Sequence, residues 1–311
     1  MKIHTWIPGT KISEPGAYVM PLEIYHTDIC DGPSVSSSGL RTIETQSLAH
    51  YWCDSYLNPD REPFEQTASM ILGSGAHHLL LGEKDFHSKF VLRPEEAPDG
   101  RAWNGNNNSC KEWLGKQAKA GLVVLKPEQL KDIVGMAKSL GKHPLIKQGL
   151  MNGHIETSLI WKDKETGIWL KARPDVIAAD GTIINDLKTT ADASPGECER
   201  TVANFGYHLQ MALAGMAFET LFGRRPGNDD YVLTFVEPKP PYAVSIRPVD
   251  PMAIHYGRLL IRRALRKLAA ALASGEFPAY ETDLTNVNLP AWELKRLEGE
   301  IKYGLLQEDA A

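Results

Sequence analysis

An α/β fold is predicted: a mixed sheet containing a β-meander, flanked by helices and preceded by a helical N-terminal part. Three observations lead there. Helical periodicity dominates residues 36–140, interrupted by a loop-like stretch at 92–108. At Gly153 the texture changes to short alternating strands separated by tight turns. Long helical patterns then return between and after further strands, an order that places helices against a sheet. With 311 residues, 42% hydrophobic and 23% charged, the chain is long enough to bury a full core as one large domain or two small ones.

Residues 1–35 are punctuated by proline and glycine and read as an irregular arm. Ser36, Ser37 and Ser38 offer an N-cap for a helix running to about Tyr56, where Asn58-Pro59 stops it. A second helix is expected over 66–81, closed by Gly82. Residues 92–108 read as loop, and two more helices as 109–120 and 127–140, the latter with Pro127 at its start. Strands are expected at 155–162, 168–178 and 182–190, joined by turns at 164–167 and at Asp180-Gly181. A long helix follows over 197–222, then strands at 231–236 and 242–247, then a helix over 251–273. Residues 281–311 read as a tail, loop plus short helix.

Composition excludes several classes. The four cysteines, Cys30, Cys53, Cys110 and Cys198, are far apart and form no C-x-x-C, which argues against a zinc ribbon or an iron–sulfur cluster. No apolar run is long enough to span a bilayer, and the first residues lack the apolar core of a signal peptide. A reduced, cytoplasmic, soluble protein is the expectation. The net charge of −5 neither signals nor excludes nucleic acid, because a local basic groove decides contact.

Chemistry concentrates in W-L-K-A-R-P-D-V-I-A-A-D-G-T-I-I-N-D-L-K-T-T. Side chains alternate along a strand, so Asp186 and Lys188 share a face and Leu187 points into the opposite layer. Asp175 lies across the Asp180-Gly181 turn, within reach of Asp186. Two carboxylates and a backbone carbonyl suit Mg²⁺, and an adjacent lysine could orient a water and offset charge on a phosphorane. The motif alone fits an ordinary hairpin with a solvated Asp/Lys pair equally well. Further features add to it. G-S-G-A-H-H-L-L-L places His77 and His78 on an apolar helix. Glu156 precedes the Asp175 strand. Tyr207 and Gln210, three apart, share a helix face. Arg258, Arg262, Arg263 and Arg266 form a basic stripe that could touch phosphates or simply be solvated.

Together these residues resemble the PD-(D/E)XK nuclease superfamily. Pro174-Asp175 with Asp186-Leu187-Lys188 carries that likeness. The glycine–histidine run, Glu156 and Tyr207-x-x-Gln210 resemble the RecE-type branch, the exodeoxyribonuclease VIII catalytic domain, over roughly residues 36–280. The resemblance implies a restriction-endonuclease-like core. It implies that His77, Asp175, Asp186 and the Leu187 carbonyl hold Mg²⁺, with Mn²⁺ able to substitute, and that Lys188 is the catalytic lysine. Glu156 would serve a second metal or its water shell. Gln210 and Tyr207 would orient Lys188 or the scissile phosphate. Apart from the resemblance, Arg173, Arg258, Arg262 and Arg263 are the candidate DNA contacts. The implied activity is 5′→3′ digestion of linear double-stranded DNA by a homo-oligomeric ring, leaving 3′ tails for a RecT-like single-strand annealing protein in phage or prophage recombination. A structure-selective or restriction-type endonuclease and a non-catalytic DNA-end-binding protein are the alternatives.

Overall fold

The computed structural model describes residues 1–62, 67–82, 86–280, 284 and 286–306. The expected helix start at Gln66 and the last residues of the tail lie outside the described residues. The chain divides into two units, Met1–Phe277 and Pro278–Ala311.

The first 35 residues correct the expectation of an irregular arm. They form β1 (Ile3–Thr5), β2 (Gly16–Val19), the single turn α1 (Leu22–Tyr25) and the start of β3 (Ser34–Ser36). Such short strands carry little pattern of their own and are fixed by the strands they pair with. The next helix is split into α2 (Ser37–Thr45) and α3 (Leu48–Asp54). Gln46 leaves the helical region, and the Ser47 side chain caps the second piece by accepting from the His50 N–H. Thr67 caps α4 (Ala68–Leu80) in the same way. The single turn α5 (Phe86–Lys89) leads into β4 (Phe90–Leu92), and α6 (Asn108–Lys119) into β5 (Val123–Leu125). The parallel β4–β5 ribbon was not expected. Helices α7 (Pro127–Leu140) and α8 (Pro144–Lys147) both begin with proline at a position whose N–H needs no partner.

Each of the first two expected strands breaks into two. The first becomes β6 (Gly153–Ile155) and β7 (Ser158–Lys162). The second becomes β8 (Trp169–Ala172) and β9 (Val176–Ala178), and β10 (Ile184–Thr189) follows. Then come α9 (Pro195–Asn204), α10 (Tyr207–Phe222), β11 (Tyr231–Val236), β12 (Val244–Pro248) and α11 (Pro251–Ser274). The second unit holds α12 (Ala291–Lys302).

Two five-stranded mixed sheets result, ordered β1-β2-β7-β8-β3 and β12-β11-β10-β9-β6. The main core packs α2, α10 and α11 against both, around Leu40, Leu159, Leu170, Leu213 and Leu265. A second core joins α4 and α7 to the other face of β10 and β11 through Ala76, Ile133, Met136, Leu187 and Val236. Leu187 thus points away from the Asp186 layer, as strand alternation requires.

One face of β8 clasps the N-terminal segment. The Trp169 indole donates to Asp31 at 2.6 Å, Lys171 Nζ to the Tyr25 carbonyl at 2.7 Å, and Arg173 Nη1 to the Met20 carbonyl at 3.0 Å.

Two outcomes follow. At Gly257 a Cβ would lie 2.7 Å from the His208 carbonyl oxygen, where α11 crosses α10. Gly257→Ala is expected to cost ~1–3 kcal/mol in urea unfolding. Lys171 is 2% exposed, and burial lowers its pKa to about 8. Between pH 8 and 10.5 the unfolded chain holds a proton that the folded chain lacks, so this group's contribution to stability rises with pH. Relative to Lys171→Met, the parent should gain up to ~3 kcal/mol across that window. Urea melts of both proteins at stepped pH check this.

Candidate active site

The two strand breaks coincide in space. The chain leaves one sheet and enters the other at Glu156-Thr157 and again at Arg173-Pro174-Asp175. Pro174 has no N–H to donate, so the ladder stops there. The Glu156 N–H donates to the Asp175 carbonyl at 3.0 Å and ties the bends together. Glu156 takes φ +49, a left-handed conformation that costs a non-glycine residue roughly 1–3 kcal/mol. Its side chain is thereby turned back toward Asp175.

Beside the bend, α4 brings His77 up to Asp175, with Nδ1 3.4 Å from Oδ2. Among the described residues, His77, Glu156 and Asp175 are the one group of three or more such side chains that could share a metal ion. Their ligand atoms lie within 4.8 Å of one another. Asp175 Oδ2 also accepts from the Leu187 N–H at 2.6 Å, which locks it to β10. Asp186 is fully buried and directed elsewhere: Oδ2 pairs with Lys188 Nζ, and Oδ1 accepts from Gln210 Nε2 at 2.8 Å. Gln210 Oε1 accepts from Lys188 at 3.2 Å, closing a three-residue ring. Tyr207 covers the ammonium with its ring centroid at 4.5 Å. Among the side chains, the cluster thus holds Glu156 where Asp186 was expected, and Asp186 instead pairs with Lys188, which shares its strand face two residues on.

Charges here are strongly interdependent. Burial works against charging His77, but the Asp175 carboxylate outweighs it and raises the imidazole to about 9. Burial would likewise raise Asp175, yet His77 and then Lys188 pull it below the usual carboxylate range. Burial and the neighbouring Asp175 charge push Asp186 up. Burial opposes the charged form of Lys188, and Asp186 and Asp175 more than restore it. Glu156 is raised to about 7 by burial and by Asp175, against the opposing pull of Arg173.

A family model described as a PDDEXK-like domain of unknown function (DUF3799) matches residues 36–285. The chain belongs to this family. That membership agrees with the Pro-Asp…Asp-Leu-Lys signature at the bend and places the chain in the PD-(D/E)XK superfamily. A crystal structure from Eubacterium rectale, of a protein described as a candidate exonuclease, shares the fold with a TM-score of 0.58 at 12% identity. The match covers 89% of this chain and 98% of that one. Among curated proteins none matches this sequence.

In this PDDEXK-like chain His77 and His78 diverge. His77 faces Asp175, whereas His78 is 3% exposed, with ring centroids 5.4 Å from Phe90 and 6.0 Å from Phe86. Gly75 lets α4 rest on Leu125. The expected DNA-contacting arginines are all engaged within the fold. Arg173 Nε donates to Glu156 at 2.5 Å and Nη1 to Ser158 at 3.2 Å. Arg258 grips Glu219 with both terminal nitrogens, and Arg262 Nη1 reaches both oxygens of Asp163 at 2.8 and 2.9 Å. Arg263 binds Glu44 and Arg266 binds Glu165. The stripe on α11 thus braces it against α2, α10 and the β7–β8 turn instead of presenting unpaired cations. Sequence reading missed Arg41 and Phe205. Arg41 Nη1 donates to the Phe205 carbonyl at 2.6 Å, next to the Gly206 break between α9 and α10. Gly206 itself was the signal, since its φ of +62 ends one helix and starts the next.

Calorimetric titration with Mn²⁺ separates the two histidines. His77→Ala, Glu156→Gln and Asp175→Asn should each lose tenfold or more in affinity, an order of magnitude usual for disturbing a metal site. His78→Ala should bind Mn²⁺ like the parent and instead lose stability, by ~2 kcal/mol or more, as a buried ring is removed.

Proposed function

We propose that this chain is a Mg²⁺-dependent exodeoxyribonuclease, with Mn²⁺ able to substitute, that degrades linear double-stranded DNA. The observation that carries the reading is the meeting of His77, Glu156 and Asp175 at one bend, beside the Asp186–Lys188–Gln210 ring. Two carboxylates supply the hard oxygen donors such ions take, and the imidazole adds a nitrogen. Asp186 lies on the adjacent strand β10 and adds a third carboxylate beside this set.

His77, Glu156 and Asp175 would hold a divalent cation at the bend, where it would supply positive charge to polarise the phosphodiester and acidify a water. Lys188, kept protonated by Asp186 and Asp175, offsets the negative charge that builds on the phosphoryl oxygens. Gln210 and the Tyr207 ring fix the direction of that ammonium. In hydrolysis the water oxygen bonds to phosphorus and the bond to the leaving deoxyribose oxygen breaks. The water gives up one proton, and the leaving oxygen takes one.

Resemblance to the RecE-type branch extends the proposal. It supports 5′→3′ digestion leaving 3′ single-stranded tails, a homo-oligomeric ring, and a RecT-like annealing partner in phage-type recombination in the cytoplasm. The catalytic domain would span residues 36–280, with the first 35 completing its sheet.

End-labelled linear duplex and covalently closed circles, each incubated with Mg²⁺, test the reading. Linear DNA should be lost from its ends and closed circles survive. Circles cut at discrete positions would favour an endonuclease, and intact DNA of every form would remove the enzyme reading. Lys188→Ala should fall 10²-fold or more in turnover while keeping Mn²⁺ affinity within a few-fold, the scale of losing a charge that serves the transition state.

A further inference from the structure

Phe205 is 57% exposed at the turn between α9 and α10. An exposed phenylalanine is ordinary by itself; the surroundings of this one are not. Its ring lies nearly parallel to that of Tyr207, at 20° with centroids 5.7 Å apart. Tyr207 in turn covers the Lys188 ammonium at 4.5 Å. Ring contacts through Tyr207 therefore link the partly buried Lys188 to the exposed Phe205, and place the Phe205 ring no more than about 10 Å from the ammonium. The turn is also built to stay in place. The left-handed Gly206 lets residues 205 and 207 project to the same side. Arg41 clamps the Phe205 carbonyl from α2, and its side chain lies against Gly206 closely enough that a Cβ there would sit 3.1 Å from Cδ.

We propose that Phe205 is a substrate-positioning platform on which the nucleobase beside the scissile phosphate stacks. This rests on the nuclease reading above and deepens it. Every base has a π-face, so an aromatic platform is indifferent to sequence. Within a duplex both faces of each base are covered by its neighbours, so only a terminal or unpaired base can offer one. The phenyl ring thus favours DNA ends, and the stack with Tyr207 sets the distance from that base to Lys188.

The full-length protein, with Ca²⁺ replacing Mg²⁺ to hold back cleavage, is mixed with linear duplexes carrying 2-aminopurine at the terminal or at an internal nucleotide. The parent should change the fluorescence of the terminal probe and leave the internal one unaltered. Phe205→Ala should abolish that change and weaken end binding roughly ten- to hundredfold, the range of one base-on-aromatic stack. Phe205→Trp should retain both. Thermal melts and Mn²⁺ affinity should be the same in all three proteins. If Phe205→Ala binds ends within twofold of the parent, the platform is refuted and the nuclease reading is untouched. If the parent binds no DNA at all, both fall.

Discussion

Crowding of carboxylates is the constraint around which this molecule is organised. Asp175 and Asp186 are 6% and 0% exposed, Asp175 at the break before β9 and Asp186 on the neighbouring β10, and Glu156 turns in beside Asp175. Like charges in a poorly solvated place raise one another's pKa, and each would tend to protonate. Compensation comes from two separate elements, His77 on α4 and Lys188 on β10. For His77 to reach Asp175, α4 must lie close on the β4–β5 ribbon and on Leu187. For Lys188 to stay aimed, α10 must start beside it so that Tyr207 and Gln210 both touch the ammonium. The packing of the two cores and the charge balance of the site are thus one problem, solved on opposite faces of β10.

The bend makes that crowding possible. In a straight hairpin Glu156 and Asp175 would continue a ladder with their side chains held in strand register. Breaking both strands at the same level frees the two carboxylates from register while the Glu156 N–H keeps the backbones joined. Arg173 occupies the inner corner. It donates to Glu156 and to the Met20 carbonyl and lies by the ring of Tyr25, so it joins the first residues of the chain to the site.

What the sequence disclosed depended on whether a signal was local. Alternation in Asp186-Leu187-Lys188 was enough to place acid and base in one layer and leucine in the other. The three-residue spacing of Tyr207 and Gln210 put both on the face that meets Lys188. The sheet crossing was only half legible: Pro174 marks the second break, whereas Glu156-Thr157 carries neither proline nor glycine to mark the first. The N-terminal strands are three and four residues long, too short for periodicity to show. The basic stripe on α11 looked unpaired because its partners are remote in sequence: Asp163 for Arg262 and Glu44 for Arg263. Clustering of Glu156 with His77, rather than of Asp186, followed from a left-handed backbone that no residue pattern announces.

The pairing of β2 with β7 bears on where this protein can be cut. The family match begins at residue 36, yet β7 lies between β2 and β8, and its residues Ser158 to Trp161 are all buried. A fragment trimmed to the matched segment would leave that strand as an open edge, with its backbone N–H and C=O groups unpaired on one side and an apolar surface beside them. Bare edges of this kind recruit strands from other molecules. The limit of recognisable kinship therefore falls inside the folding unit, and a fragment drawn along it would be prone to aggregate through β7.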